Sequence, residues 1–594
     1  MGLQPTPTTN RLPLHSGDFP NLAAALDYAA QGDTGCNFYN GKGDLYAVLP
    51  YSELRDQARA FARRLTGLDL VRGARVAIVA ETGPDFLRSF FACQYAGLTP
   101  VPLPVPLHLA SRSAYVDQLR GLLLSCRPAV ALAPASFVPF LTQAAEGLSL
   151  AFLGSPEAFV EEVPEGTERL NPLQAEETAY LQYTSGSTRF PRGVVVSQQA
   201  LMDNLAGSIR YGVVINDHDR CVSWLPYYHD MGLVGFVLAP VASQRSVDYL
   251  STRDFAMRPR LWLRILSESG GTVSFSPTFG YELCVRRLGN EDAAGFDLRA
   301  WRVAGVGAEK IRPEPLDQFA ERLGGSGFDR NAFMACYGMA ECSLAVSFAP
   351  VGTGLGVDRV DANYLADTQE ALPVTSANAG ETREAAFVNC GSPLPGYEVA
   401  IKGAQGEDLP ERQCGLIHVR GPSVMSGYFE DPEATAEVLT EDGWLNTGDI
   451  GYRLGDSLLI TGRAKDVIII NGRNFLPQDL EYLAEQISDV RSGDASAFSV
   501  TADDGNEKAV MVVQCRRADA SGRDALIQEL QRLIHEELGI DCHIDLVAPR
   551  TLPRTSSGKL SRSRTREDFL SRVERGLAQF PASPRAPLRD ADAG

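Results

Sequence analysis

Read for its alternation of apolar and polar positions, the chain separates into short, wholly apolar runs and longer stretches with helical spacing. Val76 to Ala80 (VAIVA) is a run of the first kind, the mark of a strand buried on both faces. PDFLRSFFACQYAG follows, where Phe86, Leu87, Phe90 and Phe91 form a helical stripe and Gly97 supplies a stop. LTPVPLPVPL then returns in extended form. Strand, helix and strand in that order predict a parallel sheet with right-handed crossovers. AVALAP (129–134), VSFSP (273–277) and RVAGVG (302–307) look like further strands between helical stretches, so the chain belongs to the α/β class.

Two regions break this rhythm. Residues 351–386 are polar and weakly periodic, and a loop of that length inside a compact domain is commonly functional. From about 391 to 461, Gly/Pro turns between short strands predict a β-rich subdomain. After Gly462-Arg463-Ala464-Lys465-Asp466 the pattern becomes mixed α+β with apolar runs of its own, VIII at 467–470 and AVMVVQC at 509–515. The domains are therefore expected at 1–464 and 465–594, with a disordered tail from about 580.

Composition narrows the function classes. A chain of 594 residues is long enough for several domains, and 44% hydrophobic with 22% charged residues reads as soluble and globular. A net charge of -19 argues against general nucleic-acid binding, which needs a basic face. The 11 cysteines are scattered, with no Cys-x-x-Cys pair, and are expected to be reduced thiols in a cytoplasmic protein. The 7 histidines show no zinc-site spacing. The N-terminus lacks the apolar region of a secretory signal, although it fits Met-Gly-x-x-x-Thr, the short myristoylation pattern. The longest apolar run, Met231 to Ala242, is too short for a bilayer, which needs about 20 residues.

LQYTSGSTRFPRGVVVS, Leu181 to Ser197, concentrates the chemistry. It is not a Walker A loop, since no Gly-Lys-Ser/Thr follows the glycines. It has the same physical means, however. Gly186 and Gly193 let backbone N–H groups face a hollow, Thr184, Ser185, Ser187 and Thr188 add hydroxyls, and Arg192 adds a charge. Such a loop grips polyphosphate oxygens; by itself it also reads as a simple turn.

Further motifs follow in order: WLPYYHDMGLVG (224–235), GVGAEKIR (305–312), ACYGMAECSLAVSF (335–348), WLNTGDIGY (444–452), ITGRAKDVIIINGRNFLPQDLE (460–481) and LPRTSSGKLSR (552–562). Together they resemble the adenylate-forming superfamily, which includes acyl-CoA synthetases and nonribosomal peptide adenylation domains. The resemblance runs from about residue 20 to 572. More narrowly the chain resembles a fatty acyl-AMP ligase, on HDMGL, its LPYYHD context, and the extra segment at 351–386 after YGMAE. The fold this implies is a large N-terminal domain of two doubly wound α/β subdomains plus a small β-barrel-like subdomain. A small, mobile α+β C-terminal domain follows.

The activity implied is attack of a fatty carboxylate on the α-phosphorus of ATP, giving acyl-AMP and pyrophosphate, with ATP and Mg²⁺ required. By the resemblance, Thr184 with Ser185, Gly186, Ser187, Thr188 and Arg192 would hold the phosphates, and Glu341, with Thr184, would ligate Mg²⁺. Gly307, Ala308 and Glu309 with Tyr337 would line the adenine pocket, and Gly338, Met339 and Ala340 continue the nucleotide site. Asp449 would take the ribose hydroxyls, and Arg463 would contact ribose or phosphate. Lys559 matches the catalytic lysine, a long ammonium able to enter and leave the site. His229 would sit at the carboxylate entrance; a structural role for it is as good a reading. Phe279 and Gly280 would wall the acyl tunnel, and Lys465 stands at the hinge position. Where many relatives have Pro-Lys-Gly, this chain has Pro191-Arg192-Gly193.

The acceptor is the least decided point. The 351–386 segment favours transfer to the phosphopantetheine arm of a separate holo-acyl carrier protein, for lipid, polyketide or lipopeptide synthesis, over transfer to CoA. Physically, a wedge against the mobile domain could restrict its motion or block the CoA path. Arg550, Arg554, Lys559, Arg562, Arg564 and Arg566 form a basic run that could dock an acidic carrier. The alternatives are a fatty acyl-CoA ligase and a degenerate adenylate-binding protein; the intact set Thr184, Glu341, Asp449, Arg463 and Lys559 speaks against the latter.

Overall fold

The structure, a computed structural model, describes residues 3–106, 112–167, 169–184, 191–288, 295–375, 383–470, 473–502, 507–517, 519–555, 560–578 and 580. The apolar runs become strands. Arg75–Val79 lies parallel to Thr99–Leu103 on one side and to Val130–Leu132 on the other, with Phe152–Gly154 completing a four-stranded sheet. The stripe at 86–91 belongs to helix Pro84–Ala96, which ends where Gly97 takes the left-handed conformation at φ 73°. Both faces of these strands are covered, which is why they read as continuous apolar runs.

A nine-stranded sheet carries the site. Phe333–Gly338, Val303–Val306, Val273–Ser276, Cys221–Ser223, Val247–Leu250 and Gly35–Tyr39 run parallel through its centre. Antiparallel strands Ala345–Phe348 and Leu45–Pro50 flank them. Loops after the carboxyl ends of the parallel strands carry WLPYYHD, GAE and MAE, the position at which open α/β sheets bind ligands. Close packing fixes a glycine here: a Cβ on Gly305 would fall 2.2 Å from the Phe275 ring.

The β-rich region is a four-stranded antiparallel sheet, Glu398–Lys402, Gly415–Arg420, Leu445–Leu454 and Ser457–Arg463. The described residues of 351–386, a segment read above as polar and weakly periodic, are more regular than that. Strand Val357–Asp361 pairs with Glu384–Val388, and helix Ala362–Thr368 lies between them. Each strand sends little inward, Val360 from the first and Phe387 with Val388 from the second, so the periodicity is faint. Val360, Ala371 and Phe387 share a small core with Tyr452 and Leu459 of the four-stranded sheet. Asp358 locks it: its carboxylate accepts from the Tyr452 hydroxyl at 2.7 Å and from Arg412 at 2.9 Å.

From Ile468 onward the chain builds a core of its own, around Leu480, Met511, Leu530 and Ile544. Its sheet is Ala495–Thr501, Glu507–Gln514 and Cys542–Val547. All 11 cysteines are free thiols, and none of the helices among the described residues is long and apolar enough to cross a membrane.

Candidate functional site

A cavity of about 360 Å³ opens where the carboxyl ends of the large sheet meet the four-stranded sheet. One half is polar. Thr184, Arg192, His229, Ala308, Tyr337, Gly338, Met339, Ala340, Glu341, Arg463 and Lys465 all line it, so residues far apart in sequence are gathered at one place. The other half is apolar, walled by Leu205, Ile209, Val234, Phe236, Phe275 and Phe348.

Backbone geometry sets the polar half. A Cβ on Gly338 would lie 1.9 Å from the Leu344 carbonyl oxygen, so only glycine fits the bulge between Tyr337 and Gly338 that turns the chain toward Glu341. Ala308 sits at φ 68°, an uncommon conformation for a residue with a Cβ, directly after strand Val303–Val306. Thr184 donates its backbone N–H to the Arg192 carbonyl at 3.0 Å, closing the neck of the phosphate loop. Ser185, Gly186, Ser187 and Thr188 lie outside the described residues, as does Lys559.

Glu341 is half-buried, and one of its carboxylate oxygens accepts from the Tyr428 hydroxyl at 2.9 Å. Burial pushes its carboxyl above the usual range, against the pull of its own backbone hydrogen bond, the Tyr428 donation and Arg463. It makes no ion pair among the described residues. A desolvated carboxylate with unused lone pairs suits a hard cation, and one carboxylate plus substrate oxygens is the usual way Mg²⁺ is held. The Arg192 guanidinium lies 5.2 Å from the centre of the Tyr428 ring, so Tyr428 links the phosphate loop to Glu341. The sequence reading missed this tyrosine. Its only signal is an aromatic in SGYFEDPE, and nothing local to that stretch points to Glu341.

Asp449 is buried and stands behind the lining. It accepts from Tyr337 at 2.8 Å and pairs with Arg463 at 3.1 Å. Burial and the Asp449 charge hold the Tyr337 hydroxyl well above the phenol range, so it stays a donor, and Asp449 holds Arg463 protonated. Two carboxylate oxygens offer about four lone-pair sites, which leaves acceptor capacity beside these partners. His229 lines the cavity with its Nδ1 2.6 Å from the Asp230 carboxylate, at the N-terminus of the short helix Asp230–Leu233.

Several expected residues stand elsewhere. Phe279 and Gly280 are not among the described residues lining the cavity. Phe279 packs edge-on to Trp224, and a Cβ on Gly280 would lie 2.1 Å from Ser276 Oγ, so both serve helix–strand packing. The apolar wall of the cavity comes instead from Phe275 and from two π-helical stretches, Ser208–Gly212 and Val234–Leu238. Glu309 turns away to accept from the Phe279 N–H at 3.0 Å, and Gly307 packs against Cys336, leaving Ala308 alone of the three on the lining. Arg562, expected on an outward basic face, is bound at 2.6 Å to Glu481 and at 3.2 Å to Asp466. Its partners are distant in sequence, so the run of charges misled the reading.

The second core docks through polar pairs. Arg312 bridges Glu282 at 2.9 Å and Glu485 at 2.8 Å, Lys310 and Arg383 flank Asp479, and Asp367 pairs with Arg473 at 2.6 Å.

The chain is similar to proteins already known. A family profile described as "AMP-binding enzyme" matches residues 29–429. A Caulobacter vibrioides protein with the provisional name acyl-CoA synthetase is 44% identical over 568 residues, covering 95% of this chain and 98% of that protein. The medium-chain-fatty-acid–[acyl-carrier-protein] ligase JamA of Moorena producens is 31% identical over 573 residues, covering 93% and 95%. A solved structure from a study of fatty acyl-adenylate ligases of E. coli and L. pneumophila has a TM-score of 0.90 and 45% identity, covering 95% of this chain and 100% of that one.

Proposed function

Because the chain belongs to the AMP-binding enzyme family and, within it, to the fatty acyl-AMP ligases, we propose that it joins a fatty acid to AMP and then hands the acyl group to a carrier protein. The observation that carries this reading is one cavity with an apolar half beside a half bearing Thr184, Arg192, Glu341 and Arg463.

The reaction brings two anions together. Like unit charges at 4 Å repel by about 4 kcal/mol at an effective dielectric near 20. Arg192 and Arg463, both on the lining, would offset that repulsion, and Tyr337 with Asp449 would orient the ribose. Glu341 and Thr184 would hold Mg²⁺, which supplies neutralising charge at the phosphate oxygens. The phosphate loop, Ser185 to Thr188, would hold the β- and γ-phosphates. Lys559 would approach the carboxylate and α-phosphate with the lid and withdraw with it. His229, oriented by Asp230, would stand where the acyl chain meets the nucleotide. The apolar half excludes water from the acyl chain, and the lid of 465–594 would turn about Lys465.

For the acceptor, the described part of the 357–388 region ties lid to body through Asp367 and Arg383. That tether favours a separate holo-acyl carrier protein over CoA, and the similarity to JamA points the same way. Work in the cytoplasm fits the demand for ATP. The test is one assay with ATP, Mg²⁺ and radiolabelled dodecanoate, run without acceptor, with CoA, and with holo-carrier. Acyl-AMP that the carrier discharges and CoA does not is the expected result. Rapid conversion to acyl-CoA would make the chain a CoA ligase.

A further inference from the structure

We propose that Lys465 contacts the nucleotide phosphates during acyl-AMP formation, in addition to serving as the pivot, so that lid orientation sets the charge present at the nucleotide. The inference rests on the functional reading above and goes beyond a hinge role. A pivot needs only a backbone able to change φ and ψ. It has no need of a charged side chain on the wall of the site.

Lys465 has one. It lies in the single turn Ala464–Asp466, directly after strand Ser457–Arg463, and lines the cavity with Thr184, Arg192, Glu341 and Arg463. The carboxylates near it, Asp466, Asp449 and Glu341, each hold another partner. Asp466 is taken by Arg562 at 3.2 Å, Asp449 by Arg463 at 3.1 Å and Tyr337 at 2.8 Å, and one Glu341 oxygen by Tyr428 at 2.9 Å. The ammonium makes no ion pair among the described residues. Desolvation and the neighbouring Arg463 hold it below the ordinary lysine range. Two neighbouring cations lining the cavity, one of them without an ion pair among the described residues, are relieved by a bound polyanion. Rotation about residue 465 would redirect its own Cα–Cβ bond, carrying this charge away after adenylation.

Lys465→Met keeps the length and removes the charge, while Lys465→Arg keeps the charge. Acyl-AMP formation is measured in a single turnover with radiolabelled ATP and dodecanoate, over a range of ATP concentrations and without acceptor. Transfer from preformed acyl-AMP to holo-carrier is measured separately. Lys465→Met is expected to lower the rate at subsaturating ATP about 10- to 100-fold, the range for a charge-assisted contact. Product inhibition by pyrophosphate should weaken with it, and Lys465→Arg should stay within about threefold of wild type by the same reckoning. Wild-type acyl-AMP formation by Lys465→Met, or an equal loss in both variants, would overturn the proposal and leave a pivot alone. Failure of the wild-type protein to form acyl-AMP would refute the ligase reading itself, and this inference with it.

Discussion

Replacing Tyr428 by Phe isolates one bond in the site. The hydroxyl donates to Glu341 at 2.9 Å, while the ring lies 5.2 Å from the Arg192 guanidinium. Phe keeps the ring contact and removes only the donor. A hydrogen bond to a charged group contributes roughly 1.5–3 kcal/mol. Glu341 is half-buried, so the lower end applies, about 1.5 kcal/mol, or about tenfold in kcat/KM for adenylation near pH 7. The pH dependence is the sharper readout. Glu341 already sits above the usual carboxylate range through burial, and the Tyr428 donation opposes that shift. Its loss raises the folded-state value further. The ionised form is the one that holds a cation, so activity falls as pH drops through this value. The acid limb of the pyrophosphate-exchange profile should therefore move to higher pH in Tyr428→Phe, with saturating Mg²⁺ recovering part of the rate. An acid limb superposable on wild type would refute the reasoning, whatever the rate at neutral pH.

Other substitutions probe the remaining parts. A Cβ on Gly235 would lie 3.6 Å from Leu344 inside the cavity lining, so Gly235→Leu should abolish dodecanoate adenylation yet leave ATP affinity within about threefold; calorimetric loss of ATP binding would count against the division of the cavity. Gly338→Ala places a methyl 1.9 Å from a backbone oxygen and should cost about 3 kcal/mol, read as a lowered denaturation midpoint; an unchanged midpoint would mean that the bulge relaxes freely. Asp358→Ala strips the partner from the half-buried Arg412 and should destabilise by about 3 kcal/mol while raising discharge by CoA; if CoA discharge stays flat, the ribbon does not control the acceptor. Lys559→Ala should slow acyl-AMP formation by on the order of 10²-fold or more with ATP binding retained, and wild-type formation would end that assignment.

The parallel strands were legible because burial on both faces writes itself into the sequence as VAIVA or VSFS, and the helix at 84–96 because its stripe ends at a glycine that takes positive φ. Glu341, Asp449 and Arg463 were legible as motif residues. What stayed hidden depends on partners remote in sequence. Tyr428 acquires a role only when its strand-end loop meets the one carrying Glu341. Arg562 is neutralised by Glu481 and Asp466, 81 and 96 residues away. The π-helical stretches lining the apolar half of the cavity have no composition of their own. Met231 to Ala242 reads simply as an apolar run, and its cavity-facing side emerges only once strand Val273–Ser276 packs beside it.

The contacts between the two cores bear on how the lid can move. The second core is closed around its own residues, and among the described residues Leu476 alone of its side joins the small cluster shared with the 357–388 ribbon. Much of the described junction is polar: four ion pairs, Arg312 with Glu485, Lys310 and Arg383 with Asp479, Arg473 with Asp367, and the Ser492 hydroxyl between Arg312 and Glu282. Partly exposed pairs contribute about 0–1 kcal/mol each, so four amount to a few kcal/mol at most. A difference of that size leaves a second orientation within reach of substrate binding or product formation, since a ligand shifts such an equilibrium by its differential affinity. An apolar junction of similar extent would hold the lid fixed. Two of the four ion pairs use residues of the 351–386 segment, the same stretch that interrupts the α/β rhythm of the sequence. The segment thereby adds weight to the orientation of the second core seen here.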